Sequence, residues 1–118
     1  MIPKRYRLKN TKAFDATYKN RCVVSDSLFT FYIGKTKKSP EVSTKFGFVV
    51  SKKYHKRAVK RNRIKRLMRE SIRLSIKENR MGALENHMSF VVLPKLNAQN
   101  LKLADVQKSF TNIIARIK

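Results

Sequence analysis

Residues 52–69 read KKYHKRAVKRNRIKRLMR, and this stretch decides how the rest of the chain is organised. Ten of its eighteen residues are Lys or Arg, and none is acidic. A run of like charges is often disordered because the charges repel one another. Here, however, apolar residues recur at i, i+3, i+4 and i+8, the spacing of one face of an α-helix. This face consists of Ile64, Leu67, Met68 and Ile72, with the small Ser71 and Ser75 on the same side.

The opposite side of this predicted helix is cationic. Its members are Asn62, Arg66, Arg69, Arg73 and Lys77, with Arg61, Arg63 and Lys65 between the two sides. A solvated basic face without a dedicated partner is the alternative interpretation. A helix that needed only solubility would pair Glu with Lys at i,i+4, and residues 52–69 contain no Glu. We therefore expect the helix to bury its apolar stripe and to present its arginines to a polyanion.

The composition predicts one small folded domain with an excess of positive charge. A chain of 118 residues with 42% hydrophobic residues can form one modest core, and we expect residues 1–10 to form a basic N-terminal arm. The 29 Lys and Arg against 7 Asp and Glu give a formal net charge of +22. Self-repulsion at this charge destabilises the compact state. We therefore expect nucleic acid or multivalent anions to stabilise the protein.

Several kinds of site are disfavoured by what the sequence lacks. No apolar h-region follows the basic start of the chain, and no apolar run approaches the roughly 20 residues of a membrane span. Cys22 is the single cysteine, and His55 and His87 have no ligand-spaced partners, so we expect neither a disulfide nor a zinc site. The acidic residues are dispersed and no glycine-rich phosphate loop is present. We predict a cytoplasmic protein with no catalytic residues and no metal of its own.

Two further helices are predicted from hydrophobic periodicity. The first covers 12–20, with Thr11 as its N-cap. The basic helix is expected to end near residue 79 and to be capped by Gly82. A last helix over 102–117 places its apolar residues on one face: Val106, Phe110, Ile113, Ile114 and Ile117.

Three strands are predicted, over 28–33, 46–51 and 88–93. The second is expected to run antiparallel to the first, and the third, a continuous apolar run, is typical of a buried central strand. One face of the second strand has only small residues, namely Gly47, Val49 and Ser51. Such a face predicts a shallow trough or a lightly packed helix. The predicted order of elements is α-β-β-α-β-α.

Phe14 and Tyr18 are four residues apart on the first helix and share a face. They fit a core position, but aromatic side chains near a basic surface can instead stack on unpaired bases. RNA is favoured over DNA as the partner, because the cationic face has Asn62 as its single amide. A face of arginines suits recognition of backbone and shape, which is how proteins usually bind structured RNA.

Two segments carry a resemblance to a known family. The run FGFVVSKK at 46–53, followed by AVKRNRIKR at 58–66 and LMRE at 67–70, resembles the signature of the protein subunit of bacterial ribonuclease P. The likeness extends over most of the chain, while residues 54–57 stand where many relatives have a short Gly-containing link. The resemblance implies an α+β fold, a single-domain α/β sandwich with a four-stranded sheet and a left-handed βαβ crossover (ribosomal protein S5 domain 2-like).

The same resemblance implies a function in tRNA maturation. The family's protein binds a catalytic RNA, and the holoenzyme hydrolyses precursor tRNA to release its 5′ leader. The Mg²⁺ of the holoenzyme is held by RNA and substrate phosphates, and the protein alone binds no cofactor and is inactive. One protein per RNA is implied, with no membrane partner.

By matched position, the resemblance also implies two sets of site residues on this single RNA-binding domain, residues 1–118. A cleft for the single-stranded leader would be lined by Phe14, Tyr18, Tyr32 and Val49. The catalytic RNA and substrate phosphates would be bound by Lys52, Lys53, Arg57, Lys60, Arg61, Asn62, Arg63, Lys65, Arg66, Arg69 and Arg73.

Two other functions stay open at this point. The composition also permits a structural protein of another ribonucleoprotein, such as the ribosome, and a non-specific DNA-binding protein of the nucleoid. All three predict a steep dependence of binding on salt.

Overall fold

The computed structural model describes residues 7–8, 11–20, 22–39 and 43–117. Its helices are α1 (Thr11–Lys19), α2 (Ala58–Lys77) and α3 (Leu103–Ala115), with a short 3-10 helix over Gly82–Asn86. Its strands are β1 (Cys22–Ser25), β2 (Phe29–Ile33), β3 (Lys45–Phe48) and β4 (Ser89–Pro94). The α+β class and the order of the predicted elements are confirmed. Most of the predicted basic arm, residues 1–10, lies outside the described residues.

The four strands form one sheet in the order β1-β2-β4-β3. Strand β4 lies in the centre, antiparallel to β2 and parallel to β3, so the predicted central strand is confirmed. Strand β3 runs antiparallel to β2, as predicted, but the two do not pair because β4 lies between them. β3, α2 and β4 therefore form a βαβ unit, and its left-handed sense stays a prediction.

The fourth strand, β1, adds an element that the residue pattern did not indicate. It has four residues and pairs with β2 alone, from Cys22 opposite Ile33 to Ser25 opposite Thr30. Its first two residues are exposed. A strand this short, with little buried surface, leaves no alternation long enough to detect.

The sheet has a closed face, covered by α2 and α3, and an open face, on which α1 lies. On the closed face, the ring of Phe31 stacks on Phe90 with centroids 5.8 Å apart and meets Phe110 edge-on at 5.1 Å. Helix α2 buries Ile64, Met68 and Ile72 there, together with Ser71 and Ser75. Every residue predicted for the core face of the last helix is also buried, although Ile117 lies beyond the end of α3 at Ala115.

The boundaries of α2 correct two predictions from the sequence, that the basic helix follows directly after residue 51 and that Gly82 caps it. The helix begins at Ala58, whereas residues 52–54 form a turn that is closed by a hydrogen bond from Tyr54 N–H to Ser51 O of 3.1 Å. It ends at Lys77, and Asn79 adopts the left-handed conformation, with φ 55°. The Arg80 amide donates to Ser75 O at 2.8 Å, which completes a Schellman cap.

The predicted cap at Gly82 is therefore wrong, because an asparagine, which tolerates the left-handed region, ends the helix three residues earlier. Gly82 begins the 3-10 helix instead. Two smaller differences concern the ends of other elements. Thr11 lies within α1 rather than preceding it, and β3 ends at Phe48 although the Val49 amide still donates to Val92 O at 3.1 Å.

Candidate nucleic-acid interface

The outer surface of α2 is cationic, as its sequence predicts. Arg66 and Arg69 are exposed, while Ile64 on the other side of the helix is 1% exposed. The predicted site residues that are also exposed are Lys52, Lys53, Arg57, Asn62 and Arg63, and those that are half-buried are Lys60, Arg61, Lys65 and Arg73. The apolar stripe thus anchors the helix, and the arginines opposite it face outward.

Two of these arginines are bound to the protein's own backbone. Arg61 Nη1 donates to His55 O at 2.8 Å and to Lys56 O at 2.9 Å. Arg63 Nη2 donates to Leu101 O at 2.7 Å. The two guanidinium groups thus connect the start of α2 to the turn before it and to the loop before α3. Sequence reasoning missed this role, because the acceptor carbonyls come from segments that only the fold brings near.

A third arginine, Arg73, forms an ion pair with Glu70 on the same helix. The hydrogen bond from Arg73 holds the pKa of Glu70 below its ordinary value. The two side chains keep 37% and 41% of their surface exposed, so solvent screens the pair and its effect on stability is small. Among the described residues, the side chains of Lys60, Asn62, Lys65, Arg66 and Arg69 have no hydrogen-bond or ion-pair partner and are available to bind a ligand.

The turn at residues 52–57 is fixed by a buried tyrosine. The Tyr54 hydroxyl donates to Ala98 O, and Gln99 Nε2 donates to Tyr54 O at 2.9 Å. Burial raises the pKa of Tyr54, although the charge of Arg63 opposes the shift. Next to it, His55 Nδ1 accepts a hydrogen bond of 3.0 Å from the Arg57 amide, a local turn contact. The exposed Lys52 and Lys53 therefore project from a well-anchored turn.

Aromatic side chains from α1 and β2 meet on the open face. The rings of Tyr18 and Tyr32 are edge-on with centroids 4.9 Å apart. Phe14 lies over Gly47, where a Cβ atom would come within 2.6 Å of the phenyl ring. Phe14, Tyr18 and Tyr32 are all half-buried, as is Val49 beyond the end of β3. Burial, followed by the nearby Tyr32 and Asp15, raises the pKa of Tyr18.

Helix α1 is held on the open face by polar contacts. The buried Thr17 hydroxyl donates to Ala13 O at 2.9 Å and lies 2.6 Å from Ser89 Oγ. Asn20 Nδ2 donates to Ile33 O at 3.0 Å. Helix α1 thus lies mainly over β2 and β4, and it reaches the small-residue face of β3 where Phe14 covers Gly47. The lightly packed helix predicted for that face is therefore observed, and the trough stays a prediction.

The remaining predicted features lie apart from these surfaces. Cys22 is exposed on β1, and His87 is buried with its Nδ1 3.0 Å from Gly34 O. Within the described residues, no group of three His, Cys, Asp or Glu side chains could hold a metal ion. None of the described helices has the length and apolar character needed to cross a lipid bilayer.

Comparison with known proteins finds the same family by sequence over nearly the whole chain. The family model described as Ribonuclease P matches residues 2–118. The "Ribonuclease P protein component" of Exiguobacterium sp. is 33% identical over 120 residues, which cover 99% of this chain and 94% of the relative. That of Finegoldia magna is 31% identical over 112 residues, which cover 95% of this chain and 90% of the relative.

Solved structures show the same fold. The Staphylococcus aureus RNase P protein superposes with a TM-score of 0.73 at 27% identity, covering 95% of this chain and 96% of its own. The RNase P protein from Thermotoga maritima gives a TM-score of 0.77 at 22% identity, covering 95% of this chain and 97% of its own.

Proposed function

Because the chain belongs to the Ribonuclease P family of protein components, as the match over residues 2–118 shows, we propose that it is the protein subunit of a ribonuclease P holoenzyme. It binds a catalytic RNA and the 5′ leader of precursor tRNA, and it promotes endonucleolytic removal of the leader to form the mature 5′ end. It does so in the cytoplasm, as one protein per RNA.

The observation that carries the proposal is the orientation of α2. Ile64 and Met68 are buried in the core, and Arg66 and Arg69 point outward from a rigid helix. Arginine's planar fork suits bidentate contact with phosphate. Because Arg61 and Arg63 hold the start of the helix against neighbouring loops, the cationic surface is ordered before RNA arrives. This preorganisation lowers the entropic cost of binding.

The leader is assigned to the open face. Unpaired bases can stack on aromatic side chains, with about 1–3 kcal/mol per base. Phe14, Tyr18 and Tyr32 present such rings half-buried between α1 and the sheet. Lys52 and Lys53 project from the turn after β3 and would bind phosphates near the end of the cleft. Their position fits a single strand that runs along the open face towards α2.

The chemistry is assigned to the RNA partner. Mg²⁺ is the metal that the family implies, and the described residues do not assemble three ligands of the kind that hold a metal. The family resemblance implies that RNA and substrate phosphates hold this ion, and we propose the same arrangement here. The protein's own contribution is to position the leader and to neutralise phosphate charge with its arginines.

Reconstitution of the full chain with a catalytic ribonuclease P RNA and a precursor tRNA tests the proposal. The protein alone should cleave nothing, and its addition to the RNA should allow leader removal at low Mg²⁺. Identical cleavage with and without the protein, at every Mg²⁺ concentration, would contradict the proposal. Co-purification with ribosomal subunits would then favour a structural role.

Charge reversal on α2 tests the assignment of its outer surface. Arg66→Glu should lower affinity for the catalytic RNA by at least about tenfold, because a charge-assisted contact is replaced by repulsion. Lys108→Glu on α3 is a matched control, since Lys108 is also exposed and the charge change is the same. Equal losses in the two variants would show that net charge, rather than this surface, governs binding.

Truncation of Phe14 tests the assignment of the open face. Phe14→Ala should weaken binding of precursor tRNA to the holoenzyme, and leave binding of mature tRNA unchanged, because only the precursor carries a leader. The ratio of the two dissociation constants is the quantity to measure. A wild-type holoenzyme that binds precursor and mature tRNA equally well would contradict the cleft.

A further inference from the structure

A cavity of about 240 Å³ opens at the outer edge of β3, beside the open face. It lies where the sheet edge, α1, α2 and the segment before α1 come together, and its lining consists of Arg7, Leu8, Phe14, Phe46, Gly47, Phe48 and Arg69. Phe14 also belongs to the predicted leader cleft and Arg69 to the outer surface of α2. The cavity therefore connects the two proposed RNA surfaces, and neither assignment above includes Arg7, Leu8 or Phe48.

The segment before α1 is fixed against the sheet edge and forms one wall. Arg7 bridges to Phe46 in parallel orientation, and the Leu8 amide donates to Phe46 O at 3.0 Å. These contacts occupy part of the edge of β3, so the cavity is a built recess rather than an open strand edge. The side chain of Arg7 is exposed at its mouth.

The lining combines aromatic rings with guanidinium groups. The half-buried Phe14 and Phe48 supply ring surface, whereas Phe46 is 3% exposed and stacks on Phe90 in the core. Arg7 and Arg69 supply two guanidinium groups, and none of the described lining residues is acidic. Ring faces favour a planar base, and arginine favours a phosphate. The volume is below the range of about 300–1,000 Å³ that is usual for drug-sized ligands, and it suits one base.

We propose that this recess binds one unpaired nucleotide of RNA, with the base against the ring surface of Phe14 and Phe48 and a neighbouring phosphate against Arg7 and Arg69. The inference rests on the proposed function, since it names a further contact of the same ribonucleoprotein. The nucleotide can come from the leader or from the catalytic RNA, because both surfaces border the recess.

Arg7→Gln and Phe48→Leu test the recess without touching the residues already assigned to RNA binding. Arg7 is exposed, so its replacement leaves the fold intact, and Phe48→Leu removes ring surface but keeps an apolar side chain. Lys108→Gln is the control, with the same change in charge as Arg7→Gln at an exposed position on α3. Three titrations are compared: the full-length protein with a single-stranded hexaribonucleotide, the protein with the catalytic RNA, and the holoenzyme with precursor and mature tRNA.

The expected result is a loss of affinity of about 5- to 30-fold in both recess variants, the size of one stacked and charge-paired nucleotide. A loss confined to precursor tRNA assigns the nucleotide to the leader. A loss confined to holoenzyme assembly assigns it to the catalytic RNA. If both variants match Lys108→Gln in all three titrations, the recess binds no nucleotide. Because these are binding measurements, they show whether the recess binds a nucleotide even if the reconstitution fails to show leader removal.

Discussion

The closed and open faces of the sheet differ in how completely they are covered, and strand β2 contributes residues to both faces. In β2, Phe29, Phe31 and Ile33 have no exposed surface beneath α2 and α3. Thr30 and Tyr32, which alternate with them, are only half-buried. Of the described helices, α1 is the one that lies on the open face, and it has nine residues.

This difference separates residues that specify the fold from residues that can bind. A fully buried phenylalanine contributes to packing and is inaccessible to a ligand. A half-buried aromatic pair such as Tyr18 and Tyr32 leaves ring surface in contact with water, which a stacked base can cover. The two faces should therefore respond differently to substitution.

The largest expected effect is on the closed face. Phe31→Ala should lower the free energy of unfolding by about 3–5 kcal/mol, because it removes a ring that is packed on Phe90 and Phe110 and leaves a cavity. Tyr32→Ala, one residue along the same strand, should cost about 1 kcal/mol since its ring is partly solvated already. Urea denaturation measures both, and Phe31→Leu replaces the alanine variant if that variant is unfolded in water.

Equal losses in the free energy of unfolding for Phe31→Ala and Tyr32→Ala would contradict this difference between the two faces. That outcome would mean that the open face is as tightly packed in solution as the closed one. A trough for RNA would then be absent.

An intermediate loss of stability is expected for substitution of Asp26, which lies at the rim of the closed face and connects the turn after β1 to α3. Its Oδ1 accepts amide hydrogen bonds of 2.8 Å from Leu28 and Phe29, and its Oδ2 accepts one from Ser109. Burial opposes ionisation, but these hydrogen bonds and the charge of Lys95 outweigh it and lower the pKa of Asp26.

Because the folded state favours the carboxylate, this stabilisation is present above the unfolded pKa of about 3.9 and is lost as the pH falls through the lower folded value. Asp26→Asn should therefore cost about 1 kcal/mol at pH 7. The difference from the wild type should shrink below about pH 4. Thermal unfolding across this range measures it, and a difference that stays constant down to pH 2 would contradict the role of the charge.

The smallest effect is expected on the open face, for Tyr18→Phe. Burial, then Tyr32 and Asp15, raise the pKa of Tyr18, so the folded state favours the neutral phenol. Stability is retained below the unfolded pKa of about 10 and falls as the pH rises towards the folded value. The variant should match the wild type at pH 7 and lose less stability at pH 10.5. A clear loss at pH 7 would show that the hydroxyl has a structural partner.

The sequence alone was sufficient for those parts of the fold whose signal is periodic. The helical spacing of Ile64, Met68 and Ile72 predicted which side of α2 is buried, and the apolar run at 88–93 predicted the central strand. In each case the pattern reflects one large burial term, the removal of apolar surface from water.

The parts that were missed depend on contacts between distant segments. The attachment of Arg63 to Leu101 and of Tyr54 to Ala98 joins residues about forty positions apart, and no local pattern records it. The strand order, with β4 between β2 and β3, also follows from packing of the whole chain. For the same reason, the recess at the edge of β3 could not be read from the sequence, since its walls come from four separate segments.

The central position of β4 affects how the protein can fold during its synthesis. During translation, β2 and β3 emerge long before residues 89–94, and each lacks its main neighbour until that segment leaves the ribosome. Pairing over such long separations in sequence is slow. The sheet therefore cannot form until roughly the last quarter of the polypeptide is available, and by then the arginine-rich helix has already been synthesised.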